Sequence, residues 1–253
     1  MLNNLPRITR YLLIANFVMW LLDAFLQRRF GIQLTYILGL HYWSATNVHI
    51  LQPLTYMFMH SGFRHLFFNM FALLVFGPAL EREWGERKFL IYYLVCGLGA
   101  ALVQEVVWSL HLQSMLGQYS VSQVAAYSEQ MVTIGASGAV FGILFAFGWL
   151  FPDIPMFLFF IPIPIRARTM VIIYALIELA EGFSSIPGDN VAHFAHLGGM
   201  LFGWLLLLWW RKGNGWQVFG KWWKKMPWKK RHKIDGDQKS KFENYHYQRR
   251  VDE

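Results

Sequence analysis

Long apolar stretches alternate with shorter polar connections along most of the chain. Crossing about 30 Å of hydrocarbon takes roughly 20 apolar residues in a helix, and six stretches approach that length. The fifth is the shortest and carries Glu178 and Glu181 near its end. The pattern predicts an all-α membrane protein built as a six-helix bundle. The six stretches are residues 8–26, 62–80, 89–108, 134–151, 169–183 and 191–210.

The composition supports a membrane protein. Of the 253 residues, 55% are hydrophobic and 15% are charged, whereas soluble domains carry about 25% charged residues. The first stretch is not followed by a small-x-small cleavage site, so we interpret it as a retained helix rather than a signal peptide. The single cysteine, Cys96, excludes an intramolecular disulfide.

The distribution of positive charge predicts the orientation, because cytoplasmic segments of membrane proteins collect Lys and Arg. With the N-terminus inside, 20 of the 23 Lys and Arg residues fall on the inner side, 13 of them within residues 211–250. The outer side keeps Arg28, Arg29 and Arg64. We therefore expect an integral protein of the bacterial inner membrane with both termini in the cytoplasm.

Residues 1–210 are predicted to form one membrane domain, followed by a basic cytoplasmic tail, residues 211–253, rich in Trp and Lys. Such a tail is typical of a segment that lies on anionic membrane lipid. Nucleic-acid binding is the competing interpretation, but the topology alone accounts for the charge, so no nucleic-acid partner is expected. The outer connection 27–59 is expected to form short helices in the interface, and the proline-containing connection 152–165 to lie along the inner face.

A serine and a histidine lie inside the fourth and sixth stretches. Ser137 comes about three residues into the fourth and His196 about five into the sixth. Both stretches run inward from the outer face, so at about 1.5 Å per residue the two side chains lie at similar depth. A serine becomes nucleophilic when a neighbouring neutral histidine takes its proton. Because no Asp or Glu lies within one turn of His196 on its own helix, we predict a Ser-His dyad.

Small residues near this pair favour close packing of the two helices. They are Gly138 and Gly142 in the fourth stretch and Gly199 and Gly203 in the sixth, four residues apart in each case. Ordinary helix packing explains them equally well, so they support the contact and not the chemistry. Phe141 lies one turn after the serine, and we expect its ring to pack against the imidazole; a core aromatic is the alternative.

Donors for a developing oxyanion are predicted on the second stretch. His65 and Asn69 are four residues apart and share one helix face. They lie at a depth comparable with that of Ser137, whose backbone N–H is a third candidate. Each such donor is typically worth about 3 kcal/mol in the transition state. A lone buried Asn more often forms a hydrogen bond between helices. The presence of the serine and histidine motifs here favours the oxyanion role.

Two further histidines compete for these roles. His193, three residues before His196, is a rival base, and we prefer His196 because the glycines that follow it allow close approach. A metal cluster of His60, His65, His193 and His196 is an alternative, since imidazole suits Zn²⁺. The sequence has no His-Glu-x-x-His motif, and a metal would leave Ser137 unexplained. We therefore expect neither a metal nor another cofactor.

Together these motifs resemble the rhomboid intramembrane serine proteases, over about residues 53–210. Two positions depart from the family pattern: Leu51-Gln52 stands where members often carry Trp-Arg, and Phe141 stands in place of the usual Tyr. The matching motifs are Gly135-Ala-Ser-Gly138 with Phe141 and Gly142, His196 with Gly199 and Gly203, His65 with Asn69, and Gly77-Pro-Ala-Leu-Glu81 with Trp84-Gly85.

The resemblance implies that Ser137 is the nucleophile, His196 the general base, and His65, Asn69 and the Ser137 amide the oxyanion donors. It also implies that no cofactor is needed and that the substrates are single-pass transmembrane proteins cut near the outer face. Two alternatives stay open: an inert relative that holds transmembrane helices for quality control, and a histidine-based metal carrier. The supporting site residues are Phe141, Gly135, Gly138 and Gly199.

Overall fold

The computed structural model describes residues 5–157, 164–184 and 192–211, and most of these residues are helical. A helix lies at each of the six predicted stretches. The predicted tail beyond Arg211 lies outside the described residues. In chain order the elements are α1 (Arg7–Phe30), α2 (Leu34–Leu38), β1 (Leu40–His41), α3 (Gln52–Thr55), a 3₁₀ helix (Tyr56–Phe58), α4 (Phe63–Trp84), α5 (Glu86–Met115), α6 (Val121–Ser128), β2 (Val132–Thr133), α7 (Ser137–Leu150), β3 (Pro155–Phe157), β4 (Pro164–Arg166), α8 (Ala167–Ser184) and α9 (His193–Arg211).

Four helices, α1, α4, α5 and α9, are long and apolar enough to cross a membrane. Helix α7 is apolar but shorter, at 14 residues, and α8 carries Glu178 and Glu181 among its apolar residues. The outward faces of α1, α4 and α5 expose large apolar side chains, including Phe17, Leu74 and Leu102. Exposed apolar surface on this scale indicates contact with a non-aqueous phase. The described helices therefore have the surface of a membrane-embedded bundle.

Helices α5, α7 and α9 form the centre of the bundle and bury residues such as Cys96 and Ile143 completely. Two tyrosine hydroxyls form hydrogen bonds between neighbouring elements there. Tyr92 on α5 donates to the carbonyl of Gly142 on α7 at 2.9 Å, and Tyr56 donates to the carbonyl of Gly97 at 2.7 Å. Hydrogen bonds between helices stabilise packing where water is excluded. The helix that begins with Ser137 is thus held at the middle of the fold.

The start of α1 is hydrogen-bonded to the C-terminal part of α4. The carboxylate of Glu81 accepts hydrogen bonds from the backbone N–H groups of Ile8 and Thr9 and from the Thr9 hydroxyl, each at 2.7 Å. The first N–H groups of a helix have no intrahelical partner, and an anion at this end also complements the helix dipole. This contact gives a structural role to the last residue of the Gly77-Pro-Ala-Leu-Glu81 motif.

The structure corrects the start of the fourth predicted helix. Helix α7 begins at Ser137 and not at residue 134, so the serine lies in its first turn rather than three residues inside it. The reason is the extended backbone of β2, which pairs antiparallel with β1, followed by a turn at Gly135 with φ 127°. The first and third predicted helices are longer than expected: α1 continues to Phe30 and α5 to Met115.

The described parts of the two connections contain the predicted short helices in one case and an unpredicted pair of strands in the other. The outer connection folds into the short helices α2 and α3 and the 3₁₀ helix, although its first residues belong to α1. In the inner connection β3 and β4 pair antiparallel, with Pro155 opposite Arg166. Residues 158–163 of that connection and the start of the sixth predicted stretch, residue 191, lie outside the described residues.

Candidate active site

The chain turns sharply just before Ser137. Gly135 has a positive φ of 127°, which residues with a side chain rarely adopt. Its N–H donates to the Tyr56 carbonyl at 2.9 Å, and a Cβ at this position would stand 2.7 Å from Nε2 of His65. Both the backbone conformation and the available space therefore require glycine. The same Cβ would lie 3.6 Å from the Ser137 hydroxyl, so Ser137 and His65 both lie close to this glycine.

His196 meets Ser137 where α9 packs on α7. Its Nε2 lies 2.8 Å from the serine hydroxyl, which is a hydrogen-bond distance. The helices approach this closely because Gly138 and Gly199 face each other, and a Cβ on Gly199 would overlap the Gly138 carbonyl. The glycine spacing thus predicted a contact that the structure contains. Gly203 differs from the prediction, because it packs against α5 rather than α7.

The ring of Phe141 lies flat on the imidazole of His196. The ring centroids are 4.3 Å apart and the planes differ by 7°. The other neighbour of Phe141 is Tyr174 on α8, which meets it edge to face at 6.4 Å. Stacked and edge-to-face contacts of this kind restrict ring rotation and stabilise the arrangement by about 0.5–1.5 kcal/mol per pair. The predicted contact between Phe141 and the imidazole is present.

His65 and Asn69 lie on the α4 face that borders the serine. Asn69 is buried and donates through Nδ2 to the His65 carbonyl at 3.0 Å. The Ser61 hydroxyl lies 3.2 Å from Nδ1 of His65, and a hydroxyl that donates to Nδ1 leaves the imidazole proton on Nε2. The Ser137 N–H belongs to the first turn of α7, where backbone donors lack intrahelical partners. His65, Asn69 and Ser137 line the same cavity.

These groups share the wall of a cavity of about 1140 Å³. The cavity lies between α4 on one side and α7 and α8 on the other, and most of its lining is apolar. This volume exceeds the roughly 300–1,000 Å³ of typical small-molecule pockets. The polar members of the lining include Ser61, Arg64, His65, Asn69, Thr133, Ser137, Tyr174 and His196.

Glu178 of α8 is also part of the site, a role that was not predicted from the sequence. Its Oε2 lies 2.8 Å from Nδ1 of His196 and 2.7 Å from Nδ1 of His193. All three residues are buried. The prediction considered only carboxylates on the same helix as His196, whereas this one comes from the neighbouring helix. A signal was present, because an acidic residue within a membrane helix marks a functional site by default.

His193 and His60 occupy different places from those that a four-histidine metal cluster would need. His193 contacts Glu178, and His60 packs its ring 4.9 Å from that of His65. Burial, reinforced by the neighbouring His65, lowers the pKa of His60 to about 3, so its ring is neutral at pH 7. Among the described residues, Glu178, His193 and His196 each offer one possible metal-ligand atom, all within 4.8 Å of one another.

Comparison with known proteins identifies the family. A sequence profile of the Rhomboid domain matches residues 47–212, which include every site residue described above. The chain belongs to the rhomboid family. The matched range begins after α1 and α2 and includes the elements from α3 to α9.

Several rhomboids are similar to this chain. Rhomboid-like protein 11, chloroplastic, of Arabidopsis thaliana is 30% identical over 212 residues, which cover 79% of this chain and 63% of that protein. RHOMBOID-like protein 12, mitochondrial, of the same plant is 31% identical over 197 residues, 74% of this chain and 54% of the relative. Rhomboid protease AarA of Providencia stuartii is 37% identical over 91 residues, 34% of this chain and 29% of that protein. The chain thus spans less than two thirds of the length of these relatives.

Proposed function

We propose that this rhomboid is an intramembrane serine endopeptidase that cleaves single-pass transmembrane proteins near the outer face of the membrane. The observation that carries the proposal is the 2.8 Å contact between the Ser137 hydroxyl and Nε2 of His196. Family membership supports it, and so does the name protease borne by the Providencia stuartii relative. A serine and a histidine in contact inside an apolar bundle are costly to retain without a chemical use.

The first half of the reaction follows from these positions. Ser137 Oγ attacks the carbonyl carbon of the scissile bond while its proton passes to Nε2 of His196. The carbonyl oxygen becomes an oxyanion, for which the Ser137 N–H, Nε2 of His65 and Nδ2 of Asn69 are the proposed donors. When the intermediate collapses, the C–N bond breaks and the leaving amine takes the proton from His196. An acyl group then remains on the serine.

Water completes the reaction by the same route. His196 takes a proton from a water molecule, whose oxygen attacks the acyl carbon. The ester C–O bond then breaks, Ser137 Oγ takes the proton from His196, and the new carboxyl end of the substrate is released. The stacked ring of Phe141, 4.3 Å from the imidazole, holds His196 in place through both halves. The turn glycine Gly135 and the contact glycines Gly138 and Gly199 act by bringing the reacting groups together.

The proposed topology has six membrane crossings and both termini in the cytoplasm of a bacterial inner membrane. It is supported by the 20 of 23 Lys and Arg residues that fall on the inner side in this arrangement. Under this topology the N-terminal end of α7 lies near the outer face, so Ser137 is reached from that side. The same charge pattern supports contact of the basic tail, residues 211–253, with anionic lipid.

The test is cleavage of transmembrane segments by the purified protein in lipid vesicles. A panel of single-pass segments that differ in small and helix-breaking residues is incubated with wild type, Ser137→Ala and His196→Ala, and the products are mapped by mass spectrometry. We expect wild type to cut at least one segment near its outer end and both variants to lose cleavage. Cleavage at the wild-type rate by the folded Ser137→Ala protein would refute the proposal.

A further inference from the structure

Glu178 connects α8 to the proposed catalytic pair. Its side chain is buried, with 9% of its surface exposed, as is that of His196. An isolated carboxylate in a membrane bundle is costly unless its oxygens are paired. Here Oε2 accepts hydrogen bonds from Nδ1 of His196 and Nδ1 of His193. Each imidazole therefore contacts Oε2 of Glu178 through its own Nδ1.

This arrangement fixes which nitrogen of His196 carries the proton. With Nδ1–H donating to Glu178 at 2.8 Å, the nitrogen without a proton is Nε2, the one that faces the Ser137 hydroxyl at 2.8 Å. A general base must have its free nitrogen on the side of the nucleophile. The other tautomer would place an N–H against the hydroxyl and leave no base.

We propose that Glu178 is a positioning residue that completes a Ser137–His196–Glu178 triad, in place of the dyad expected from the sequence. The proposal rests on the proposed function, because it concerns the base of that same reaction. Glu178 keeps its charge throughout: the proton from Ser137 goes to Nε2 of His196, and Nδ1 keeps its own. The carboxylate holds the imidazole in one tautomer and stabilises the imidazolium while it exists.

His193 extends the triad by one residue. It donates to the same Oε2 at 2.7 Å, so the carboxylate is held from two sides and cannot turn away from His196 without losing a bond. Glu181, one turn further along α8, also lies 3.5 Å from Nδ1 of His193. His193, which the sequence offered as a rival base, is thereby assigned the role of orienting the carboxylate.

A metal ion is the competing explanation for two histidines and a glutamate in contact. Ligands of a tetrahedral Zn²⁺, each about 2.0–2.1 Å from the ion, are separated from one another by about 3.3 Å. The separations of Oε2 from the two nitrogens, 2.7 and 2.8 Å, are shorter than that. They match direct charge-assisted hydrogen bonds instead. The geometry therefore favours the triad.

The experiment compares the full-length wild type with Glu178→Gln and Glu178→Asp in lipid vesicles. Glu105→Gln is the matched control, since Glu105 is also buried in a helix and accepts a hydrogen bond, from the backbone N–H of Trp43 at 3.1 Å. Two quantities are measured: kcat and KM on a cleaved transmembrane segment, and the rate and endpoint of fluorophosphonate labelling of Ser137. The endpoint counts intact sites, whereas the rate reports how reactive the serine is.

We expect Glu178→Gln to lower kcat and the labelling rate at least tenfold, with KM and the labelling endpoint unchanged. Loss of the third residue in serine-protease triads costs up to about 10⁴-fold in kcat. Glu178→Asp keeps the charge and should recover part of the rate, and Glu105→Gln should stay within about twofold of wild type, because it does not touch the reacting groups.

Three results would overturn the proposal. One is a loss of less than tenfold in Glu178→Gln. Another is a lower labelling endpoint with unchanged turnover per labelled site, which would mean that Glu178 only stabilises the fold. The third is a wild-type rate that a chelator abolishes and Zn²⁺ restores, which would make the cluster a metal site. A wild type that neither cleaves nor labels would instead refute the proposed function itself.

Discussion

Replacing Gly199 with alanine tests whether the closeness of α7 and α9 creates the site. A Cβ at residue 199 would stand 2.7 Å from the carbonyl carbon of Gly138 and nearer still to its oxygen. Carbon atoms in contact are normally about 3.5–4.0 Å apart. Because the obstacle is backbone and not a flexible side chain, the two helices must separate by roughly 1 Å.

The consequence for the reacting groups can be worked out from this shift. The hydrogen bond between Ser137 and His196, now 2.8 Å, would lengthen to roughly 3.8 Å, beyond hydrogen-bond reach. A misplacement of about 1 Å in reacting groups costs about 100-fold in rate. Overpacking of a core costs about 1–3 kcal/mol, which leaves most of the protein folded. We therefore expect Gly199→Ala to be folded, with kcat about 100-fold lower than that of wild type.

The assay is the initial rate of cleavage of a transmembrane segment in lipid vesicles, with the folded fraction checked by thermal denaturation. Gly117→Ala is the matched control, because a Cβ there meets nothing within 4 Å, and it should keep the wild-type rate. If Gly199→Ala cleaved the segment as fast as wild type, the close approach of the two helices would not be what positions the base, and this reasoning would be wrong.

Two further predictions concern packing and the helix start. Phe141→Leu should lower kcat about tenfold, because it removes an aromatic contact worth about 0.5–1.5 kcal/mol. Phe141→Tyr keeps the ring and should stay within about twofold of wild type. Equal rates for the Leu and Tyr variants in the same cleavage assay would contradict this prediction. Glu81→Gln should destabilise the protein by about 2–3 kcal/mol, because it weakens the hydrogen bonds to the start of α1. This should appear as a lower melting temperature in detergent, whereas replacing the exposed Glu83 with Gln should leave the melting temperature unchanged. An unchanged melting temperature in Glu81→Gln would show that Glu81 does not stabilise the start of α1.

The parts of the site that could be predicted from the sequence depend on local spacing. His65 and Asn69 share a helix face because they are four residues apart, and the glycines at 138 and 199 mark the place where two helices touch. The lengths of the apolar stretches predicted where the helices lie, but the predicted helix ends were less accurate. Helix α7 begins at Ser137 because a two-residue strand and the turn at Gly135 precede it, and that strand is too short to predict from an alternating pattern.

The contribution of Glu178 could not be predicted from spacing, because it depends on how α8 packs against α9. Eighteen residues separate it from His196 along the chain, with part of that interval outside the described residues. Both acidic residues of the short fifth stretch, Glu178 and Glu181, lie inside α8, and Glu178 faces the imidazoles.

Activation of Ser137 by His196 can be tested by mass-spectrometric mapping of a fluorophosphonate adduct. Wild type in lipid vesicles should carry the adduct on Ser137, and His196→Ala should label at least 100-fold more slowly. Ser128→Ala, which removes another buried serine, should label like wild type. An adduct that forms at the same rate without His196 would show that His196 does not activate the serine, and one that maps to another serine would show that Ser137 is not the nucleophile.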